Sequence, residues 1–238
     1  MDSIALIRDR LDWCETSGVE LLCCPEAILG GLADYSDCPE QLAIRVGNGE
    51  LNTVLSPLAS DRVAIIVGFT ELADDGRLFN SAAVYHRGAV LGIYRKLHPA
   101  INQSVYRAGD QYPTFEIGDL KFGIVICRDS IFPKPARIMA NSGATALFVP
   151  TNNGLPKHRD FGDLQAIATK ADVNLAVDNQ MFVIRADVAG ETDKLISRGS
   201  SEIIDPNGVV LQSSTRFAED LIVANISVCQ EQRTANAG

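Results

Sequence analysis

Three residues with reactive side chains follow apolar segments of the sequence. Glu26 comes after "ELLCC" and a proline, Lys96 ends the segment "VLGIYRK", and Cys127 ends "KFGIVIC". Each apolar run is typical of a β-strand, so each of the three residues stands where a strand is expected to end. Such strand ends are where α/β proteins place their ligands. A carboxylate, an amine and a thiol at one place would supply a base, a cation and a nucleophile.

Cys127 is the best-placed nucleophile among the six cysteines, because it leaves an apolar strand directly into the polar residues Arg128 and Asp129. A helix is expected to begin near Pro133, and a helix N-terminus or an adjacent cation would favour the thiolate. The structural alternative is a buried core thiol. A Cys–His pair with His98, in "YRKLHPA", also stays open.

The elements that position these residues alternate between helices and strands. Residues at helical spacing predict a first helix that ends at Gly18. A second helical region is predicted over roughly 39–59, broken near "GNG" at residues 47–49, and further helices over roughly 133–141 and 161–179. Strands are predicted over roughly 20–24, 63–69, 81–86, 90–96, 114–118, 121–127, 145–150, 181–187 and 221–228, with a hairpin over 201–212.

The chain shows no linker and no short-period repeat, so we expect a single α/β domain over residues 1–238, with one mixed sheet or two sheets. The sequence opens on a predicted helix, whereas an α/β sheet of this type usually opens on a strand. Either the fold starts with a helix, or a first strand is absent from this chain.

Composition excludes several classes of protein. The 238 residues carry a net charge of −9, which argues against nucleic acid or an anionic membrane as the main partner. No apolar run reaches the length of about 18 residues that a membrane helix needs, and no signal peptide is visible. The six cysteines lack C-x-x-C spacing and the three histidines are scattered. We therefore expect reduced thiols, a cytoplasmic location and no metal site.

Five segments, in chain order, resemble motifs of the carbon–nitrogen hydrolases, or nitrilase superfamily: "CCPEAILGG", "YRKLHPA", "GIVICRDSIFPKPARIMANSGATALFVP", "AVDNQMFVIRADVAG" and "RGSSEIIDPNGVV". The resemblance runs roughly from residue 4 to residue 228. It implies a four-layer α-β-β-α sandwich in which the usual first β-strand is missing. It also implies no metal, no organic cofactor, and assembly into a homodimer or a larger homo-oligomer.

The same resemblance implies a catalytic triad of Glu26, Lys96 and Cys127. Cys127 would attack the carbonyl carbon of an amide-like substrate, and Glu26 would act as the general base. Lys96 would stabilise the oxyanion with help from the backbone N–H of Arg128. A thioester would remain until water releases the acid. The implied substrate is a small linear amide or an N-carbamoyl compound.

The sequence departs from the family pattern after the lysine and around the cysteine. Asn102 or Gln103 stands where many members have a second glutamate. Cys127, Arg128 and Asp129 replace the Cys-Trp-Glu of members that hydrolyse nitriles, which resembles the amidase and carbamoylase branches. Lys134 replaces a glutamate after Phe-Pro. The missing first strand and the missing second glutamate also support an alternative function, a catalytically weak homologue that binds a ligand or a partner protein.

Four residues are candidates for substrate binding. Arg128 has the guanidinium geometry that matches a substrate carboxylate, although it could equally pair with a nearby acid. Asn152 and Asn153 follow the strand "TALFVP", and Asn102 is one of the two amide residues that stand where the second glutamate is expected. Loop formation is the structural alternative for the asparagines. Asp129 is expected to cap the following helix or to pair with Arg137.

Overall fold

The computed structural model describes residues 3–158, 162 and 164–226. The elements up to the candidate nucleophile are α1 (Ser3–Ser17), β1 (Leu21–Cys23), β2 (Ala43–Arg45), α2 (Glu50–Leu55), β3 (Ala64–Leu72), β4 (Leu78–His86), β5 (Ala89–Arg95), β6 (Thr114–Ile117) and β7 (Leu120–Ile124). The remaining ones are α3 (Pro133–Asn141), β8 (Ala146–Thr151), β9 (Leu155–Pro156), α4 (Leu164–Asn179), β10 (Phe182–Asp187), β11 (Ala189–Glu191), β12 (Leu195–Arg198), β13 (Glu202–Ile204) and β14 (Val210–Ser213). Short 3₁₀ helices cover Ala33–Tyr35, Pro39–Leu42, Ser56–Leu58 and Cys127–Ile131.

The strands form two large sheets and one small one. The first sheet has the order β1-β3-β4-β5, with β2 also paired to β3. The second has the order β14-β13-β10-β8-β7-β6, and β9, β11 and β12 form the small sheet. In the second sheet, β8 pairs in parallel with both β7 and β10. Such central parallel strands are covered on both faces, which explains their continuous apolar runs. The predicted mixed α/β fold is confirmed.

Two clusters of buried side chains make up most of the core. The larger one joins residues of both large sheets with residues of α3 and α4, and it includes Ile66, Phe122, Phe148, Met139 and Leu175. The second joins the other face of the first sheet to α1 and α2. This distribution agrees with the four-layer arrangement that the resemblance implies, because helices cover the sheets from the two outer sides.

Helix α1 forms where the apolar spacing predicted it. Its buried residues are Ile7, Leu11 and Cys14, and Gly18 follows with a φ of 74°. Glycine reaches this left-handed conformation without a steric penalty, so it terminates the helix. Within residues 3–158, 162 and 164–226, no strand precedes α1, and β1 pairs only with β3.

Two predicted elements differ from the structure. The helical region predicted over 39–59 is wrong in part. The break near residues 47–49 is present, and the six-residue helix α2 begins after Gly49 at a φ of 81° and is followed by a 3₁₀ turn. The part before the break is not an α-helix, because it forms a 3₁₀ turn and β2. The predicted strand over 221–228 is wrong for residues 221–226, which line a cavity of about 340 Å³ opposite β1 without strand pairing. Apolar composition favours a strand, but only a hydrogen-bonded neighbour completes one. Residues 227–228 of this predicted strand and residue 161, where the last helix was predicted to start, lie outside the described residues.

No helix among the described residues combines the length and the hydropathy needed to cross a bilayer.

Candidate active site

Cys127 lies at the exit of a buried strand of the second sheet. After β7, the chain stays beside β8 through a 3.0 Å hydrogen bond from the Val125 amide to the Phe148 carbonyl. Cys127 then opens a 3₁₀ turn with a φ of 47°, in the left-handed region that residues other than glycine rarely adopt. Such strained conformations occur at functional sites, where the surrounding structure maintains them. The strand exit therefore presents the thiol at a sharp bend.

Glu26 and Lys96 form a buried ion pair at the exits of strands of the first sheet. Their Oε1 and Nζ atoms are 2.5 Å apart, and the two residues are 1% and 3% exposed. Asn80 donates from Nδ2 to the same Glu26 oxygen at 2.7 Å, and the Asn152 amide donates to Oε2 at 2.8 Å. Three donors thus hold one carboxylate. The predicted convergence of the carboxylate and the amine is present in the structure.

The turn that carries Glu26 fits against β3 only because Gly68 has no side chain. A Cβ at Gly68 would lie 2.4 Å from the Pro25 carbonyl oxygen and 2.6 Å from the Ala27 nitrogen. The Glu26 amide also donates to the Thr151 carbonyl in the second sheet at 3.3 Å. The carboxylate is therefore fixed between the exits of strands from both sheets.

The electrostatics of the site keep the lysine charged and the thiol neutral. Burial lowers the pKa of the Lys96 ammonium, but the charge and hydrogen bond of Glu26 and the nearby Cys127 and Asp129 together outweigh it, and the net pKa lies above its ordinary value. Burial, reinforced by the Glu26 carboxylate, raises the pKa of the Cys127 thiol to about 12, although Lys96 and Arg185 oppose the shift. The adjacent cations favour the thiolate as expected, but burial and the Glu26 charge outweigh them. A thiol with this pKa needs a base before it can attack.

Asn153 is the asparagine that contacts the thiol. Its Oδ1 lies 3.7 Å from the Cys127 Sγ and can accept the thiol proton in a weak hydrogen bond. Asp187 orients this amide by accepting from the Asn153 backbone N–H at 3.0 Å and from Nδ2 at 3.3 Å, and Ser200 lies 3.3 Å from the same Nδ2. Asn152 contacts Glu26 instead, through its backbone N–H. Both asparagines lie in the neighbourhood that the sequence predicted for them.

Arg128 and Asn102 lie further out. The Arg128 side chain is exposed and donates from Nη1 to the Ala100 carbonyl at 2.8 Å. Asn102 is exposed in the loop between β5 and β6. In this structure neither side chain lies in the buried group around Cys127.

His98 contacts a carboxylate instead of the thiol. Its Nδ1 lies 2.8 Å from Asp129 Oδ1, and its ring stacks on Phe132 with 3.8 Å between the centroids. The structure therefore does not bring His98 and Cys127 together as the alternative Cys–His pair requires. Asp129 does not cap α3 or contact Arg137 as expected, because its carboxylate bonds residues around Lys96.

Sequence reasoning missed Asn80, Asp187 and Arg185. Each is a polar residue inside or at the end of an apolar strand, which is the signal that could have identified them. Arg185 is fully enclosed, with a bidentate contact to Asp172 at 2.6 Å for both hydrogen bonds. Within the described residues, no group of three His, Cys, Asp or Glu side chains is arranged to hold a metal ion.

Comparisons with known proteins agree with this arrangement. The sequence profile described as "Carbon-nitrogen hydrolase" matches residues 10–236. A nitrilase of Pyrococcus abyssi is 31% identical over 190 residues, covering 79% of this chain and 69% of its own. An (R)-stereoselective amidase of Pseudomonas sp. is 30% identical over 200 residues, which cover 83% of this chain and 69% of the amidase.

The fold has solved counterparts. The crystal structure of a carbon-nitrogen hydrolase from Helicobacter pylori superposes with a TM-score of 0.80 at 23% identity, over 91% of this chain and 81% of that one. At this identity the likeness concerns the fold alone, whereas the family profile extends over nearly the whole sequence. The chain therefore belongs to the carbon-nitrogen hydrolase family.

Proposed function

We propose that this protein hydrolyses the C–N bond of a small linear amide or N-carbamoyl compound through a thioester on Cys127. The observation that carries the proposal is the buried Glu26–Lys96 pair, whose two charges both act on the Cys127 thiol. Cys127 is neutral at rest, so the arrangement supports a base-assisted nucleophile instead of a preformed thiolate.

In the proposed acylation step, Glu26 takes the thiol proton as the sulfur bonds to the substrate carbonyl carbon. The carbonyl π electrons move onto oxygen, where the Lys96 ammonium and the backbone N–H of Arg128 stabilise the negative charge. The tetrahedral intermediate then collapses. The C–N bond breaks, the leaving nitrogen receives the proton from Glu26, and ammonia or an amine departs from a thioester.

In the proposed deacylation step, Glu26 removes a proton from water as its oxygen attacks the thioester carbon. The same two donors stabilise the second oxyanion. Collapse breaks the C–S bond, returns the proton to the sulfur and releases the acid. Glu26 thus acts twice as a base and twice as an acid, which requires a carboxylate held in one position, as its three hydrogen bonds hold it.

Lys96 is suited to electrostatic stabilisation, not to proton transfer. Burial lowers the pKa of its ammonium, but Glu26 and the other nearby negative groups together raise it above the ordinary value, so the ammonium is protonated in the resting site. Its Nζ makes one hydrogen bond, to Glu26, within the part of the chain that the structure describes. The remaining N–H groups are available to an oxyanion.

The four sequence candidates have different proposed roles in substrate binding. Asn153 is the closest to the sulfur, and its oriented amide can bind the substrate's amide group beside the reacting carbon. Asn152 contributes through the position of Glu26. Arg128 and Asn102 are exposed, so we assign them to the entrance, where Arg128 would meet a substrate carboxylate.

The direct test is ammonia release from a panel of short aliphatic amides, N-carbamoyl amino acids and the matching nitriles. We expect amides or N-carbamoyl compounds to be hydrolysed, and Cys127→Ala to lower kcat by at least about 10³-fold. Cys14→Ala is the control, because it removes a different cysteine, one that is buried on α1. Mass spectrometry of quenched turnover should detect an acyl group on Cys127.

Two outcomes would contradict the proposal. Turnover that survives Cys127→Ala would exclude the thioester. A wild-type protein that is folded but releases no ammonia from any compound in the panel would favour the alternative of a catalytically weak homologue that binds a ligand or partner.

A further inference from the structure

The candidate lysine and cysteine belong to different sheets, and their relative position depends on how the two sheets are joined at this end. Lys96 follows β5 of the first sheet, and Cys127 follows β7 of the second. Between them the chain makes a long excursion through an exposed loop that contains residues 101–103. Such a connection does not by itself set the distance between an ammonium and a sulfur.

Asp129 connects the two strand exits directly. Its carboxylate is wholly buried and accepts hydrogen bonds from the Tyr94 hydroxyl at 2.8 Å and the Leu97 amide at 3.3 Å. It also accepts from the His98 amide at 2.8 Å and lies 2.8 Å from His98 Nδ1. The Ile126 amide, next to Cys127, donates to it at 3.1 Å. Residues on both sides of Lys96 and the residue before Cys127 thus share one carboxylate.

These contacts require an acceptor on both oxygens of residue 129. Tyr94 and the three backbone amides are donors, and His98 donates when its proton is on Nδ1. An ionised carboxylate offers about four lone-pair sites for these donors. In an asparagine at this position, the NH₂ group would be a donor itself and could not accept from the donors that face it. Burial raises the pKa of the Tyr94 hydroxyl, and the Asp129 charge adds to this, so Tyr94 remains a donor.

We infer that Asp129 is a positioning residue of the proposed reaction, which sets the distance between the Lys96 ammonium and the Cys127 sulfur by joining the exits of β5 and β7. The inference rests on the proposed function and deepens it. We call the Asp129 carboxylate with its hydrogen-bond donors the clamp. The position of the oxyanion donor relative to the nucleophile affects the stability of the transition state more than it affects the binding of substrate. Loss of the clamp therefore lowers kcat and leaves KM nearly unchanged.

The first experiment compares two hydroxyl deletions that remove the same atom from similarly buried sites. Tyr94→Phe removes one donor to Asp129, with the ring left in the core. Tyr106→Phe is the matched control, because its hydroxyl lies 2.8 Å from Thr70 Oγ1 and 2.7 Å from the Ala33 amide, outside the Asp129 contacts. We expect kcat to fall about 5- to 10-fold in Tyr94→Phe and less than about 2-fold in Tyr106→Phe, with KM unchanged in both.

Asp129→Asn extends the test to the whole clamp. We expect kcat to fall about 10²-fold, since a shift of about 1 Å at a reacting centre costs that much. Asp129→Glu should recover part of this loss because it restores the charge. If Asp129→Asn fails to fold, the comparison of Tyr94→Phe with Tyr106→Phe still tests the inference. Equal effects of the two tyrosine variants on kcat, or effects on the melting temperature alone, would overturn the inference.

A second readout separates this inference from the proposed function. The rate of Cys127 alkylation by iodoacetamide, followed by mass spectrometry of its peptide, needs no known substrate. Tyr94→Phe should change this rate at least about 3-fold, and Tyr106→Phe should not. If the wild type hydrolyses nothing but the alkylation rates differ in this way, the proposed function fails while the clamp stands. Equal alkylation rates in an active enzyme would reject the clamp alone.

Discussion

Two buried ion pairs among the described residues each contain a cation that acts on Cys127, and the two cations differ in how many hydrogen bonds they donate. Arg185 donates to both Asp172 oxygens at 2.6 Å, to Thr151 Oγ1 at 2.7 Å and to Ser130 Oγ at 3.1 Å. Lys96 donates one hydrogen bond, to Glu26, within the residues that the structure describes. Both cations lower the pKa of the thiol.

Under the proposed mechanism, this difference separates a pair that supports the structure from one that takes part in the reaction. A guanidinium with its donors satisfied by fixed partners connects α4 to the second sheet and offers little to a substrate. An ammonium with one fixed partner keeps its remaining N–H groups for charge that develops during the reaction. The same chemistry, a buried cation beside a carboxylate, thus serves two purposes according to the number of donors left.

The largest expected effect comes from removing the Glu26 charge. Glu26→Gln keeps the size of the side chain but cannot take the thiol proton, so kcat should fall by about 10²- to 10⁴-fold. Steady-state ammonia release, measured well below the melting temperature, checks this. A kcat near the wild-type value in this variant would exclude Glu26 as the general base. The Glu26–Lys96 pair would then be structural, like the Arg185–Asp172 pair.

Asp172→Asn, the matched change in the other pair, should act mainly on stability. It leaves the Arg185 charge buried without its counter-ion, which typically costs about 3–5 kcal/mol in the free energy of unfolding. Urea titration measures the loss. Activity of the folded variant should stay within about 10-fold of the wild type. A larger loss of kcat than of stability would assign the Arg185 pair to catalysis.

The raised pKa of Cys127 predicts how stability depends on pH. The thiol pKa is about 12 in the folded protein and near its ordinary value of 9.0 when unfolded. Above the ordinary pKa the unfolded chain loses this proton while the folded protein keeps it, so the contribution is complete below pH 9.0 and is lost as pH rises toward about 12. Urea titrations of the wild type and Cys127→Ala between these values measure it. A steeper alkaline loss in the alanine variant would contradict the assignment.

The smallest effect is expected for His98, which pairs with Asp129. His98→Ala removes one contact of the clamp and the stacking on Phe132, so kcat should fall by less than about 10-fold. Ammonia release with the best substrate of the panel checks this. A loss as large as that of Glu26→Gln would revive the Cys–His alternative.

Much of the fold could be predicted because its strands are long, apolar and separated by clear turn signals. The strand over 63–69 and the hairpin that follows it were recognisable in this way. The stretch 39–59 was not, since "GNG" and Pro57 divide it into pieces too short for periodicity to define. Residues 221–226 have a strand-like composition, but pairing depends on neighbours far away in the chain.

The side chains at the strand ends could be identified from local sequence, because Glu26, Lys96 and Cys127 each follow an apolar run. Three features emerge only in the folded chain: Asn80 binds the Glu26 carboxylate, Asp129 joins the two strand exits, and burial raises the pKa of the thiol. Local patterns reflect the period of a strand, whereas burial and hydrogen-bond partners arise from residues that are distant in sequence. The pKa of a side chain follows from that assembled environment.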